Sequence, residues 1–205
     1  MIKKIALILG SCLSLQLAAQ KQWDYSMYNT VNHTNFRSNS LFLQEFDKAN
    51  PDYPLLNAAL FFMVNEQRLQ NNVTLLEHHN SCEIAAYNHT RLMVEQDFFA
   101  HQNPVSNNRR TTSDRGKLAG ICNPSFAENI AYNYPADGQS YMEAAESLMV
   151  QWMNSPGHRK NILSPNGLQA GCGTFLKDGA LYATQNFQWF DKITLCEAVD
   201  KLPPL

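Results

Sequence analysis

The chain has little of what several large function classes need. No apolar stretch after the first 19 residues approaches the roughly 20 that a membrane-spanning helix requires. Lys and Arg total 16 against 18 Asp and Glu, with no basic run, so the electrostatic footprint of a nucleic-acid binder is missing. The five cysteines include no CxxC pair, which removes the usual spacing of a zinc-ribbon site. No Gly-x-Ser-x-Gly elbow surrounds any serine, so a serine-hydrolase reading of Ser155 and His158 lacks its framework. Internal repeats and low-complexity segments are also absent.

What is present begins with an export signal. Lys3 and Lys4 precede an apolar run from Ile5 to Leu17, and Leu17-Ala18-Ala19 offers the small residues of a cleavage site. Residues 1–19 are therefore expected to be a signal peptide, and the protein secreted or periplasmic. Leu9-Gly10-Ser11-Cys12 loosely resembles a lipoprotein site, but the apolar run before Cys12 is short and continues past it. A lipoprotein anchored through Cys12 is the weaker reading. Loss of Lys3 and Lys4 leaves 14 basic and 18 acidic residues, a balance of −4. Roughly 185 residues remain, enough for one domain with its own core. Cys82, Cys122, Cys172 and Cys196 form an even set in an exported chain. They are expected to make two disulfides worth about 2–4 kcal/mol each, with all three connectivities open.

Residues 20–53 are rich in Asn, Ser and aromatics and read as an N-terminal extension packing through its rings. Residues 54–196 form the domain, and 197–205 a C-terminal tail. Asp52 and Pro54 open a helix over 54–70, with Leu56, Leu60, Met63 and Val64 at helical spacing. A second helix is predicted from Ser81 to about Gln96. Residues 97–126 read as loop with a short helix near Arg115. Ser140 and Glu143 form a capping box for a helix over 141–154, stopped by Ser155-Pro156-Gly157, and a helical turn is predicted over His158–Leu163. The period then changes to two. Strands 168–176 and 180–190 flank Lys177-Asp178-Gly179, a hairpin signal. The class is α+β.

Four segments in this order resemble the CAP (SCP-like) family, named for cysteine-rich secretory proteins, antigen 5 and plant pathogenesis-related-1 proteins. They are Asn65-Glu66-Gln67-Arg68, Phe98-Phe99-Ala100-His101, Ala127-Glu128-Asn129-Ile130-Ala131 and Trp152 to Arg159 with Asn161-Ile162-Leu163. Gly171-Cys172-Gly173 and Gln185-Asn186-Phe187 fit the family's closing strands. The match covers roughly residues 55–190 and is nearest the short bacterial members. It implies a three-layer α-β-α sandwich with a cleft of two histidines and two glutamates that can hold a divalent metal such as zinc. By motif these are His101, His158 and Glu128. The position of the second glutamate is Ser155 here.

Two imidazoles and one carboxylate suit zinc, so His101 and His158 are the candidate metal ligands. Glu128 is a candidate ligand, orienting group or general base. Ser155 and Asn129 complete the expected cleft. Set against this, Glu128 reads equally as a loop carboxylate accepting main-chain bonds, with Asn129 doing turn work and His158 bonding across to Glu128. His89 reads as a packed, hydrogen-bonded histidine, and His78-His79 as a solvated loop. Met142, Met149 and Trp152 read as core, and Arg109-Arg110 as solvent-facing. Asn32, Asn72 and Asn88 begin glycosylation-type tripeptides, which arise readily by chance in an Asn-rich chain. Three functions follow. The first is a binding module for a small molecule, lipid, peptide or cell-envelope component. The second is a zinc-assisted hydrolase of peptide or envelope substrates. The third is an interaction protein that docks a partner through its N-terminal aromatics.

Overall fold

The computed structural model describes residues 22–203. The expected signal segment 1–19, with Cys12, lies outside them. Five helices, α1 (Tyr53–Gln70), α2 (Asn80–Glu95), α3 (Thr112–Leu118), α4 (Tyr141–Asn154) and α5 (Pro156–Ile162), accompany four strands. The strands are β1 (Glu77–His78), β2 (Phe126–Asn133), β3 (Gly167–Lys177) and β4 (Ala180–Trp189), in sheet order β1-β3-β4-β2. Among the described residues only the short β1–β3 pair is parallel. Among the described residues no helix is long and apolar enough to cross a membrane.

The start signals work as their chemistry predicts. Asp52 Oδ1 accepts from Leu55 N at 2.9 Å, and Ser140 with Glu143 closes a reciprocal capping box. The two long antiparallel strands meet across Asp178, which takes a left-handed φ of 51°, and Gly179.

The sheet has two covered faces. Gly171 and Gly173 let α2 lie directly on β3: a Cβ at either would collide with the main chain of Cys82–Glu83 or Ala86–Tyr87. Strand alternation turns Ala170, Cys172 and Thr174 to the other face, where Thr174 Oγ1 donates to Asn57 of α1 at 2.9 Å. That face joins α1, α4 and the N-terminal segment in one apolar core.

The segment before α1 is built into this core. Trp23, Phe36, Phe42 and Phe46 are buried, and Trp23 N donates to Asp52 Oδ2 at 2.9 Å, so one carboxylate caps α1 and pins the segment. Arg37 adds a fork onto Glu66 at 2.6 and 2.7 Å. Rings consumed this way are not free to dock a partner, which removes the observation behind the interaction-protein reading.

Other expectations are corrected. Residues around Glu128 form strand β2, not a loop, because every residue of that segment finds a ladder partner on β4. His78 is not solvated: it stacks on Tyr28 at 3.7 Å and bonds Glu83 at 2.8 Å, while His79 caps α2. Arg109 is half-buried on Asp200 at 2.6 Å, while Arg110 is exposed. Among the described residues one disulfide forms, Cys122–Cys196. Cys82 and Cys172 are buried free thiols, because α2 presents Cys82 to one face of the sheet while β3 turns Cys172 to the other.

Two motif residues prove to be braces. Asn65 bonds both the N–H and the carbonyl of Leu76. Arg68, fully buried, donates to Thr74, Ile162 and Ser164 carbonyls and so holds the end of α5; burial lowers its pKa to about 10.

Candidate functional site

The site lies along β2, an edge strand, where loop, strand and helix converge. Glu128 is on the sheet face that α2 covers, in register with Asn186 of β4. Its side chain is only 2% exposed. A lone carboxylate there would be costly, and this one is thoroughly paired. Arg115 Nη2 of α3 donates to Oε2 at 2.6 Å, and His101 Nδ1 lies 3.0 Å from Oε1. The Asn186 amide, with its nitrogen toward the carboxylate, donates to Oε2 at 3.1 Å and accepts from Ala86 N. His89 Nε2 stands 3.8 Å from Oε1. Burial pushes the Glu128 carboxyl up, but the His101 bond and the Arg115 charge prevail and hold it below the usual range. It is an anion.

Arg115 is buried too. Its Nη1 reaches the Arg109 and Arg110 carbonyls at 3.3 Å, which ties the loop after His101 to α3. His89 bonds the Ala100 carbonyl at 3.1 Å, and desolvation lowers its pKa to about 4, so it is neutral at physiological pH. His89 is thus the packed, hydrogen-bonded residue expected, yet it also walls the site. Arg115 was not anticipated as a site residue. Its only sequence signal is Thr111 with Asp114, a capping box that starts α3 one turn before it.

His101 and Glu128 are brought together; His158 is not joined to either. It sits in α5, which packs on the opposite face of β2. Asn129, fully buried, donates to the His158 carbonyl and to Gln185 Oε1, both at 3.1 Å. Asn161 closes the link by donating to Asn129 Oδ1 at 2.9 Å. Asn129 is therefore a cross-brace between sheet and helix. The His158 ring is half-buried, its Nδ1 lacks a partner, and burial plus the nearby His101 lower its pKa. No hydrogen bond joins Ser155 to His158; Ser155 ends α4, its N–H donating to the Trp152 carbonyl at 3.1 Å, and begins α5 with no side-chain cap bond.

The donor set does not fit a three-ligand zinc centre. A guanidinium lies 2.6 Å from Glu128 and both carboxylate oxygens are engaged. Among the described residues no group of three or more His, Cys, Asp or Glu is placed to hold a metal. What faces outward is His101, whose side chain is 53% exposed.

A family model, described as the cysteine-rich secretory protein family, matches residues 61–187. The chain belongs to the CAP family. It is 32% identical over 125 residues to an uncharacterised membrane protein of Bacillus subtilis, YlbC, covering 61% of this chain and 32% of that one. It is 30% identical over 123 residues to uncharacterised YkwD of the same organism, covering 60% and 43%. The chain thus spans less than half the length of these relatives. Among solved structures, an extracellular SCP-domain protein of Bacillus anthracis superposes with a TM-score of 0.54 at 26% identity, over 68% of this chain and 42% of that one. An outer surface protein of Borrelia burgdorferi gives 0.53 at 16% identity, over 65% and 92%, a likeness of fold. The α+β sandwich expected of a CAP domain is the fold this chain adopts.

Proposed function

We propose that this CAP-domain protein is an exported binding module rather than a hydrolase. Its ligand is a small molecule, lipid, peptide or envelope component gripped at the His101 edge of β2. The observation that carries the reading is the state of Glu128. A general base needs a free lone pair within reach of water or substrate. Here both oxygens are engaged and the side chain is shielded. Activating water would require breaking a buried ion pair, which commonly costs about 3–5 kcal/mol. The carboxylate instead orients His101: its Nδ1 faces Glu128, leaving Nε2 for whatever enters the cleft. Export is supported by the residue pattern of 1–19 and by likeness to an extracellular SCP-domain protein.

The test is native mass spectrometry of protein recovered from envelope extract, beside incubation with peptides and envelope polymer. A stoichiometric adduct that His101→Ala loses, with substrates left unchanged, is the expected result. Steady product formation that His101→Ala abolishes would overturn it. So would near-stoichiometric zinc uptake by calorimetry that both His101→Ala and His158→Ala eliminate.

A further inference from the structure

Four residues beyond Glu128 along β2, the covered sheet face runs out from under α2 and becomes an open aromatic surface. At a strand rise of about 3.3 Å per residue this lies roughly 13 Å from the carboxylate. Tyr132 and Tyr182 are register partners, and their rings stack at 5.2 Å with an interplanar angle of 24°. Phe99 meets Tyr132 edge-on at 5.1 Å, and Tyr134 meets it edge-on at 6.2 Å. Apolar rings normally seek cover, yet Phe99 is 46% exposed, Tyr132 40% and Tyr134 70%. None of them contributes to the core.

A groove of about 310 Å³ opens beside this surface, and Phe98, Phe99, Tyr134 and Tyr182 are among the residues that line it. Its rim carries Asp97, Asp178 and Lys177. Among the described residues none of the three has an ion-pair partner. Both carboxylates lie near enough to Tyr182 to help raise its phenol pKa, after burial and the neighbouring tyrosines. Ring faces carry negative quadrupole potential. Rings together with two carboxylates against one ammonium therefore make a groove selective for positive charge.

We infer that this groove binds a quaternary ammonium group of the choline class, seated against the Phe99, Tyr134 and Tyr182 rings with Asp97 and Asp178 supplying the counter-charge. A trimethylammonium cannot donate hydrogen bonds and is weakly hydrated, so aromatic faces replace its water at low cost. Lys177, on the same rim, offers a cation to a phosphate attached to such a group. The groove is separate from the His101 edge, and the inference does not depend on that site's role.

The experiment is a chemical-shift titration of the tyrosine rings with choline chloride, beside its neutral isostere 3,3-dimethyl-1-butanol. Saturable shifts with choline, and binding of the isostere weaker by roughly fivefold or more, are expected. Tyr134→Ala, at an exposed position, should weaken choline roughly 2–5-fold. Asp97→Asn and Asp178→Asn should each weaken it without disturbing the backbone, because Asn also tolerates the φ of 53° and 51° at these positions. Phosphocholine and phosphatidylcholine vesicles identify the source. Vesicle sedimentation that Tyr134→Ala weakens assigns a bilayer headgroup, and saturation by soluble phosphocholine alone assigns a free one. Equal affinity for the neutral isostere overturns the inference. So does the absence of any saturable shift with choline, or preferential binding of a neutral chito-oligosaccharide.

Discussion

Glu128→Gln isolates the energetic centre of the candidate site. The substitution keeps shape and hydrogen bonding but removes the charge opposite Arg115, whose side chain is 1% exposed. Water cannot compensate for the lost partner, and the 2.6 Å contact is too buried for salt to screen. Removing one member of such a pair costs about 3–5 kcal/mol. In a domain of this size that lowers the melting temperature by roughly 6–20 °C. Arg115→Met should cost a similar amount, since it strands the carboxylate. The double variant should recover more than about 1 kcal/mol of the summed losses, because neither charge is then left alone. Urea melts at neutral pH measure all three. A Glu128→Gln loss under about 1 kcal/mol, or strictly additive variants, would refute the ion pair as the element holding α3 against β2. The pH dependence has a definite sign. The Glu128 folded pKa is depressed, so its contribution is fully present above the ordinary glutamate value of about 4.3 and is lost as pH falls through the folded value. Glu128→Gln should flatten the stability curve in that window.

His89 has a folded pKa near 4 and titrates at about 6.5 once exposed in the unfolded chain. Its neutral form favours folding above that value, and on the order of 3 kcal/mol is lost as pH falls from 6.5 toward 4. His89→Gln should remove this slope from urea melts, and an unchanged slope would place its origin elsewhere. Alkylation of unreduced, denatured protein should label two thiols, Cys82 and Cys172; no labelling would mean that they pair. Reducing Cys122–Cys196, which spans 74 residues, should cost up to about 4.5 kcal/mol on the loop-entropy model, read from denaturant midpoints with and without reductant. Trp23→Ala should lose about 3–5 kcal/mol by opening a cavity beside Phe42 and Phe62. A loss under about 1 kcal/mol would show that the N-terminal segment is not part of the folded core.

Local chemistry carried much of this protein's outline. Asp52, Ser140 and Glu143 announce their helices because a cap bonds within one turn, and the apolar spacing of α1 and α4 reports which stripe is buried. The closing hairpin is legible for the same reason: alternation and an Asp-Gly turn are short-range signals. The motif segments likewise named His101 and Glu128 as neighbours before any coordinates.

What sequence left open depended on contacts between residues far apart in the chain. Strand β2 has no alternating polar pattern, because an edge segment carrying a buried Glu128 and Asn129 meets partners on both faces, and only pairing with β4 reveals it as a strand. Which cysteines bond was decided by long-range placement, a quantity spacing does not encode: the Ile121–Leu195 bridge brings Cys122 and Cys196 together, while Cys82 and Cys172 sit on opposite sides of β3. Above all, the chemistry of Glu128 was set by Arg115 arriving from α3. The same carboxylate is a plausible base or metal ligand in the sequence and a saturated ion-pair partner in the fold. Long-range Coulomb partners and desolvation exist only once the chain has packed, and they determined what this residue is available to do.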